Sequence, residues 1–146
     1  MMNSDQLIRA AREIFNLAIK NKDADAIKTL FAPTYHIVTG RSAQYHGSKE
    51  ESKRWAVLFL EDPTVIYRRT PREIMINENW GIAEELGNWE GSYTAEDLLV
   101  RASGVYSAKW QRTETSEWVL QVEVFTTIHC DGPESGCLKP DPINLE

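Results

Sequence analysis

The sequence predicts an α+β fold in which three N-terminal helices cover one face of a strongly curved, mostly antiparallel sheet. Three apolar-rich runs between residues 80 and 125 are typical of long neighbouring strands, and four of the five tryptophans lie in this stretch. Helical spacing of apolar residues is confined to about the first sixty residues. A sheet that presents so much aromatic surface needs a cover, and these helices are the available candidates.

The first predicted helix is capped by Ser4 or Asp5 and runs to about Asn21. Its apolar stripe recurs at helical spacing: Leu7, Ile8, Ala11, Ile14, Phe15, Ala18 and Ile19. A second, short helix continues through Phe31 and is stopped by Pro33, because the residue before a proline avoids the helical region.

A short strand is predicted at residues 35–39, followed by a loop over 40–47. Ser48, with Glu51 three residues later, is typical of a capping box and predicts the start of a third helix. Pro63 marks the end of that helix.

Residues 64–70 and 73–77 predict one strand interrupted by Pro71, or two strands, and the proline indicates an edge position or a bulge. The main sheet then follows as three predicted strands at residues 80–89, 100–112 and 118–125. Residues 91–97 are predicted to be a connection, and residues 113–117 a hairpin turn.

The length of 146 residues fits a single domain with a core large enough to need no disulfide. We expect residues 1–129 to form this domain. Prolines, glycines and a lack of periodicity after residue 130 predict an irregular C-terminal tail over residues 130–146.

The net charge of -6 disfavours nucleic acid and anionic membranes as partners, since the chain has no basic run. No apolar run approaches the length of a membrane span, and the N-terminus does not resemble a signal peptide. We therefore expect a cytoplasmic protein.

Two cysteines, Cys130 and Cys137, lie close together in the sequence. In a reducing compartment a disulfide is not expected, so the sequence favours free thiols. A metal site with His129 is an alternative, but it lacks a fourth ligand at zinc-like spacing. No metal site and no cofactor is predicted.

Three segments point to a known family: residues 23–32 (DADAIKTLFA), the Ala83 and Gly87 pair, and residues 104–118. Their order and spacing resemble the nuclear transport factor 2-like superfamily over about residues 5–129. That superfamily includes ketosteroid isomerase, scytalone dehydratase and SnoaL-like polyketide cyclases. The resemblance implies a cone whose open end holds a pocket, and a homodimer formed through the sheet. Because the fold serves enzymes, binding proteins and assembly modules, it does not determine function.

The resemblance to ketosteroid isomerase does not extend to its catalytic residues. Alignment on residues 30–32 places the aspartate base of that enzyme at Thr39, its oxyanion tyrosine at Phe15 and its oxyanion aspartic acid near Tyr106. Threonine is no base at neutral pH, and phenylalanine donates no hydrogen bond. Only Tyr106 retains a donor, so the steroid-isomerase mechanism is not expected.

Glu85, His36 and Tyr106 are the candidate catalytic residues. If Glu85 shares a strand face with Ala83, Gly87 and Trp89, it is a carboxyl group among aromatic rings. Burial there would raise its pKa and make it a candidate acid or base. The alternative is that Ile82 and Leu86 face inward and Glu85 is solvated or in a dimer interface. His36 is the alternative base, unless it is a surface histidine.

Aromatic residues supply the candidate ligand-binding set: Phe15, Trp55, Trp89, Tyr106 and Trp110. They lie on elements that are expected to converge, and such a cavity suits a flat, mostly apolar small molecule. The alternative is that these rings fill the cone as ordinary core.

Three functions remain open from the sequence. The first is a binding protein for a small apolar or aromatic molecule. The second is a SnoaL-like isomerase, cyclase or dehydratase that moves a proton on a cyclic ketone or polyketide, with Tyr106 steadying an enolate oxygen. The third is a protein-interaction module that acts through the outer face of its sheet.

Overall fold

The computed structural model describes residues 1–146 as three helices laid against one curved, six-stranded sheet. The helices are α1 (Ser4–Lys20), α2 (Ala24–Lys28) and α3 (Ser48–Glu61). The strands are β1 (Phe31–Val38), β2 (Gln44–His46), β3 (Ile66–Asn77), β4 (Ile82–Ala95), β5 (Leu98–Arg112) and β6 (Trp118–Asp131). A single 3₁₀ turn, Glu134–Gly136, follows the last strand. The predicted α+β class is confirmed.

The strands lie in the order β2-β1-β6-β5-β4-β3. All neighbours are antiparallel except β1 and β6, which are parallel. The long strands β4 to β6 form a meander, which agrees with the hairpin predicted at residues 113–117. None of the helices has the length and apolar character of a membrane-spanning segment.

The helix starts differ from the predicted ones. Asn3 caps α1, one residue before the predicted cap Ser4. It exchanges two 2.9 Å hydrogen bonds with Gln6. The predicted capping box between Ser48 and Glu51 is wrong. Gly47 is the N-cap of α3, with a φ of 96° that favours glycine, so Ser48 is already inside the helix.

Several strands extend beyond their predicted bounds. β1 begins at Phe31 and includes Pro33, so α2 ends earlier than expected. β4 continues through the predicted connection to Ala95, because pairing with β5 supplies hydrogen bonds along its whole length. β3 is an edge strand whose register shifts between Pro71 and Glu73, which confirms the predicted bulge.

The prediction of free thiols is wrong, because Cys130 and Cys137 form a disulfide. The chain reverses after β6 at Gly132, which has a φ of 149°, and the two Cα atoms come within 5.8 Å. Gly136 packs so closely on Val100 that an added Cβ would overlap one of its methyl carbons. The start of the tail is therefore packed against the sheet.

The inner face of the sheet and the covering helices enclose the hydrophobic core. Ala83, Glu85, Gly87 and Trp89 alternate inward along β4, as one of the two predicted registers requires. The apolar stripe of α1 is narrower than predicted, since Leu7 is 38% exposed. A charged residue, Arg12, is fully buried on that helix instead.

Candidate functional site

A buried ion cluster lies beneath the centre of α1. Arg12 donates from Nη2 to Glu85 Oε1 at 2.9 Å and from Nε to Glu85 Oε2 at 3.0 Å. Its Nη1 lies 2.8 Å from Glu123 Oε2, as an ion pair without hydrogen-bond geometry. All three side chains are completely excluded from solvent. One guanidinium group thus joins helix α1 to strands β4 and β6.

Neighbouring aromatic residues add hydrogen bonds to the two carboxylates. The Tyr106 hydroxyl donates to Glu85 at 2.5 Å, and the Trp110 indole N–H donates to it at 2.8 Å. The Tyr35 hydroxyl donates to Glu123 at 2.6 Å. Such paired, hydrogen-bonded burial is the condition under which ionised groups are tolerated in a core.

The expected rise in the pKa of Glu85 is wrong. Burial alone raises this pKa, but the charge of Arg12 and the hydrogen bonds from Arg12, Tyr106 and Trp110 bring it below its usual value. Burial raises the pKa of Tyr106, and the adjacent carboxylate raises it further, so the hydroxyl keeps its proton. Glu85 is therefore held as an anion and is a poor proton donor.

A cavity of about 890 Å³ lies beside this cluster, between α3, the inner face of the sheet and the start of the tail. Its aromatic wall consists of Tyr45, Trp55, Tyr67, Trp89, Tyr93 and Phe125. The tail contributes Leu138, Lys139 and Pro140. The cavity is therefore shaped by the strands of the sheet and also by the tail segment that follows the disulfide.

The structure separates the predicted binding residues into two layers. Trp55 and Trp89 lie on the cavity wall. Phe15, Tyr106 and Trp110 lie behind it in the core. Phe15 packs edge-on against Trp55 with ring centres 6.0 Å apart, and Tyr106 stacks on Phe125 at 5.4 Å. The second layer thus supports the rings that face the cavity.

The structure brings two of the three predicted catalytic residues together. Glu85 and Tyr106 contact one another behind the wall, whereas His36 lies elsewhere, with its Nδ1 3.3 Å from Nδ1 of His46. None of the three histidines lines this cavity. No group of three histidine, cysteine, aspartate or glutamate side chains is arranged to hold a metal ion.

Arg69 is a polar wall residue that the sequence reasoning missed. It is 5% exposed, and its guanidinium carbon lies 4.6 Å from the ring centre of Phe15 and 4.9 Å from that of Phe125. Burial lowers its pKa from the usual value. The signal was present in the adjacent pair Arg68 and Arg69, since neighbours on a strand face opposite sides.

Glu51 is the second missed wall residue. It is 3% exposed, and burial raises its pKa although Arg54 forms an ion pair with it at 2.5 Å. The sequence predicts this side chain in a capping box that does not form. A carboxyl group of raised pKa on a cavity wall is able to exchange a proton with a bound molecule.

Comparison with known proteins gives matches by structure. No family model matches the chain, and no curated protein matches it in sequence. A candidate scytalone dehydratase from Novosphingobium aromaticivorans superposes with a TM-score of 0.77 at 10% identity, over 87% of this chain and 85% of that one.

Two further solved structures agree with this match. A ketosteroid isomerase-like protein from Erwinia carotovora atroseptica has a TM-score of 0.72 at 16% identity, covering 88% of this chain and 99% of its own. An NTF2-like protein from Cytophaga hutchinsonii has a TM-score of 0.68 at 14% identity, covering 87% and 100%. At these identities the matches concern the fold.

Proposed function

Since the chain has the nuclear transport factor 2-like fold, we propose that it binds a small, flat, mostly apolar molecule in its cavity. The observation that carries the proposal is the cavity itself: about 890 Å³, with six aromatic side chains on its wall. Small-molecule sites are typically clefts of about 300–1,000 Å³ lined by aromatic and apolar groups with a few polar ones. Arg69 and Glu51 are the buried polar groups here.

The rings on the wall are held in place by the layer behind them. Tyr106 stacks on Phe125 and is itself fixed by its hydrogen bond to Glu85. Phe15 contacts both Trp55 and the guanidinium of Arg69. A wall fixed before binding loses little conformational freedom when a ligand enters. We assign Glu85, Tyr106, Phe15 and Trp110 to this supporting role.

A proton-transfer enzyme is the second candidate, and the observation that favours it is Glu51. Its carboxyl group has a raised pKa on the cavity wall, so it suits removal of a proton from a ring carbon next to a carbonyl group. Arg69 lies on the same wall and offers positive charge to an enolate oxygen. The names of two structural neighbours, a candidate dehydratase and an isomerase-like protein, are consistent with such chemistry.

The outer face of the sheet suits contact with a second copy of the chain. Val105, Val122 and Val124 are 36–40% exposed on the central strands β5 and β6. A homodimer through this face leaves the cavity on the opposite side accessible. The same face is also available to another protein, as the interaction-module hypothesis requires.

Native mass spectrometry of the protein purified from the cells that make it tests the binding proposal. We expect the measured mass to exceed that of the protein alone, whether monomer or homodimer. The excess should equal the mass of one small molecule per chain. That mass should disappear on denaturation. A clean protein mass, together with failure of added ring compounds to bind, would contradict the proposal.

A further inference from the structure

We propose that the ligand of this cavity is a ring compound that carries a carboxylate, and that the carboxylate pairs with Arg69. This inference rests on the proposed function, which it makes more specific. Two hydrogen-bond donors of the cavity wall have no acceptor in the protein.

The two donors are Nη1 of Arg69 and Nε1 of Trp55. Both atoms are buried, and neither has a hydrogen-bond partner in the protein. The guanidinium carbon of Arg69 lies 5.5 Å from the ring centre of Trp55, and both residues line the cavity. Buried donors are nearly always paired, so two unpaired donors on adjacent residues of the cavity wall indicate a place for an acceptor from outside the chain.

The surroundings of Arg69 attract a cation but provide no anion in contact with it. The rings of Phe15, Trp55 and Phe125 present their faces to the guanidinium, which is a favourable cation–π arrangement. Ring faces do not accept the directed N–H bonds that a guanidinium makes with oxygen. None of the seven ion pairs of the chain includes Arg69.

The other buried arginine shows how the same fold treats a guanidinium that has no ligand to bind. Arg12 is paired with Glu85 and Glu123, which are fully buried with it. Glu123 also attracts Arg69, but the two form no ion pair. Arg12 lies 2.8 Å from one oxygen of Glu123, as an ion pair without hydrogen-bond geometry, and Tyr35 donates to the other oxygen. The contrast separates a structural arginine from one that faces a cavity.

The charge of the cavity wall favours an anion as well. The wall has five cationic side chains, Arg41, Lys53, Arg54, Arg69 and Lys139. It has three carboxylates, Glu50, Glu51 and Glu61, so its formal charge is +2 in a chain whose net charge is -6. A cationic cleft in an acidic protein draws anions inward and keeps cations out.

A carboxylate fits this place better than a more highly charged group. Its two oxygens match the planar fork of a guanidinium in a bidentate pair. Its single charge is balanced by the single charge of Arg69, and the unpaired N–H of Trp55 on the same wall is a further donor. The aromatic wall then receives the ring system to which the carboxylate is attached.

The test compares two probes of the same shape, 2-naphthoate and 2-naphthamide, by isothermal titration calorimetry at pH 7. We expect the carboxylate to bind about ten- to a hundredfold more tightly than the neutral amide, which is the range of a charge-assisted hydrogen bond. Arg69→Met should abolish this preference. Arg68→Met is the matched control, since it removes the same charge one residue away. It should keep the preference, because Arg68 pairs with Glu13 on the surface.

The wild-type comparison needs no variant, so it decides even if Arg69→Met fails to fold. Equal affinity of the two probes would overturn the inference while leaving the binding proposal intact. A preference for 2-naphthoate that survives in folded Arg69→Met would overturn it too. Failure of both probes to bind would contradict the inference and the binding proposal together.

Discussion

Arg12 is the residue on which the arrangement of α1 over the sheet depends most. Its guanidinium is fully buried and joins two carboxylates on different strands. Burial alone lowers the pKa of Arg12, but the charges of Glu123 and Glu85 raise it well above its usual value, so the group stays charged. The three groups therefore act as one unit, and removing one member leaves the others uncompensated in the core.

Arg12→Met is expected to lower the free energy of unfolding by about 3–5 kcal/mol, because two carboxylates lose their common counter-charge. Urea unfolding followed by circular dichroism measures this loss. The matched control is Arg9→Met on the same helix, where a solvent-exposed pair with Asp5 is worth less than about 1 kcal/mol. Equal effects of the two substitutions would show that the buried cluster is not a stabilising unit.

Glu51 is expected to make the free energy of unfolding depend on pH with a sign opposite to that of an ordinary ion-paired carboxylate. Its pKa is raised in the folded protein by burial, so the folded state binds the proton more tightly than the unfolded state. Relative to Glu51→Gln, the wild type should gain stability as the pH falls through the folded pKa. The gain should be complete below the unfolded value of about 4.3.

Urea unfolding of wild type and Glu51→Gln between pH 3 and 8 measures this difference. A stability difference that does not change with pH, or a wild type that loses stability relative to Glu51→Gln on acidification, would show that Glu51 does not titrate with a raised pKa. It would then be a weak candidate for proton transfer.

At the scale of elements, the end of β6 and the tail form one side of the cavity. The disulfide between Cys130 and Cys137 closes a short loop, and the Tyr93 hydroxyl donates to the Gly136 carbonyl at 2.6 Å. Residues that follow directly, Leu138 to Pro140, lie on the cavity wall. Disulfides are typical of oxidising compartments, so this bond does not support the expected cytoplasmic location, which stays a prediction.

Reduction of the disulfide is expected to cost about 2–3 kcal/mol of unfolding free energy, the chain-entropy value for a loop of this length. Urea unfolding with and without dithiothreitol measures it, and limited proteolysis should then cut first in the tail. The double variant Cys130→Ser, Cys137→Ser is the control and should not respond to the reductant. A wild type that is equally unresponsive would indicate that the thiols are free.

The order of the elements was predictable from the sequence because each depends on local signals. These signals extend over only a few residues. They are the helical periodicity, the breaks at Pro63 and Pro71, and the hairpin turn at residues 113–117. The start of α3 was missed because Gly47 replaced the expected cap. The disulfide was missed because a reducing compartment was expected, and because spacing alone does not show that Gly132 turns the chain back.

The site was less predictable because its key contacts join residues far apart in sequence. Arg12 is 73 residues from Glu85. Its spacing from Ile8 and Phe15 places it on the apolar stripe of α1, but the sequence does not show which carboxylates it meets there. The inward direction of Glu85 was one of two registers, and its pKa depends on partners that only the folded chain supplies. Side chains alternate between the two faces of a strand, so one of Arg68 and Arg69 had to face inward, as one of Glu84 and Glu85 did.

At the scale of the whole molecule, one core contains both a supporting layer and a binding layer. The ion cluster and the rings around it fix the sheet beneath α1, and the adjacent cavity receives the ligand. This division makes a specific prediction about two neighbouring residues of β5. Ala102 lies on the cavity wall, whereas Ser103 lies on the opposite, outer face.

The most direct measurement is a titration of tryptophan fluorescence with 2-acetylnaphthalene, a neutral ring ketone whose binding does not depend on a charge on the ligand. Trp55 and Trp89 on the wall report its arrival. We predict saturable binding to the wild type and to Ser103→Phe, and binding at least about tenfold weaker in Ala102→Phe, whose ring occupies the cavity. Absence of saturable binding, or equal binding by a folded Ala102→Phe, would contradict the assignment of this cavity as the functional site.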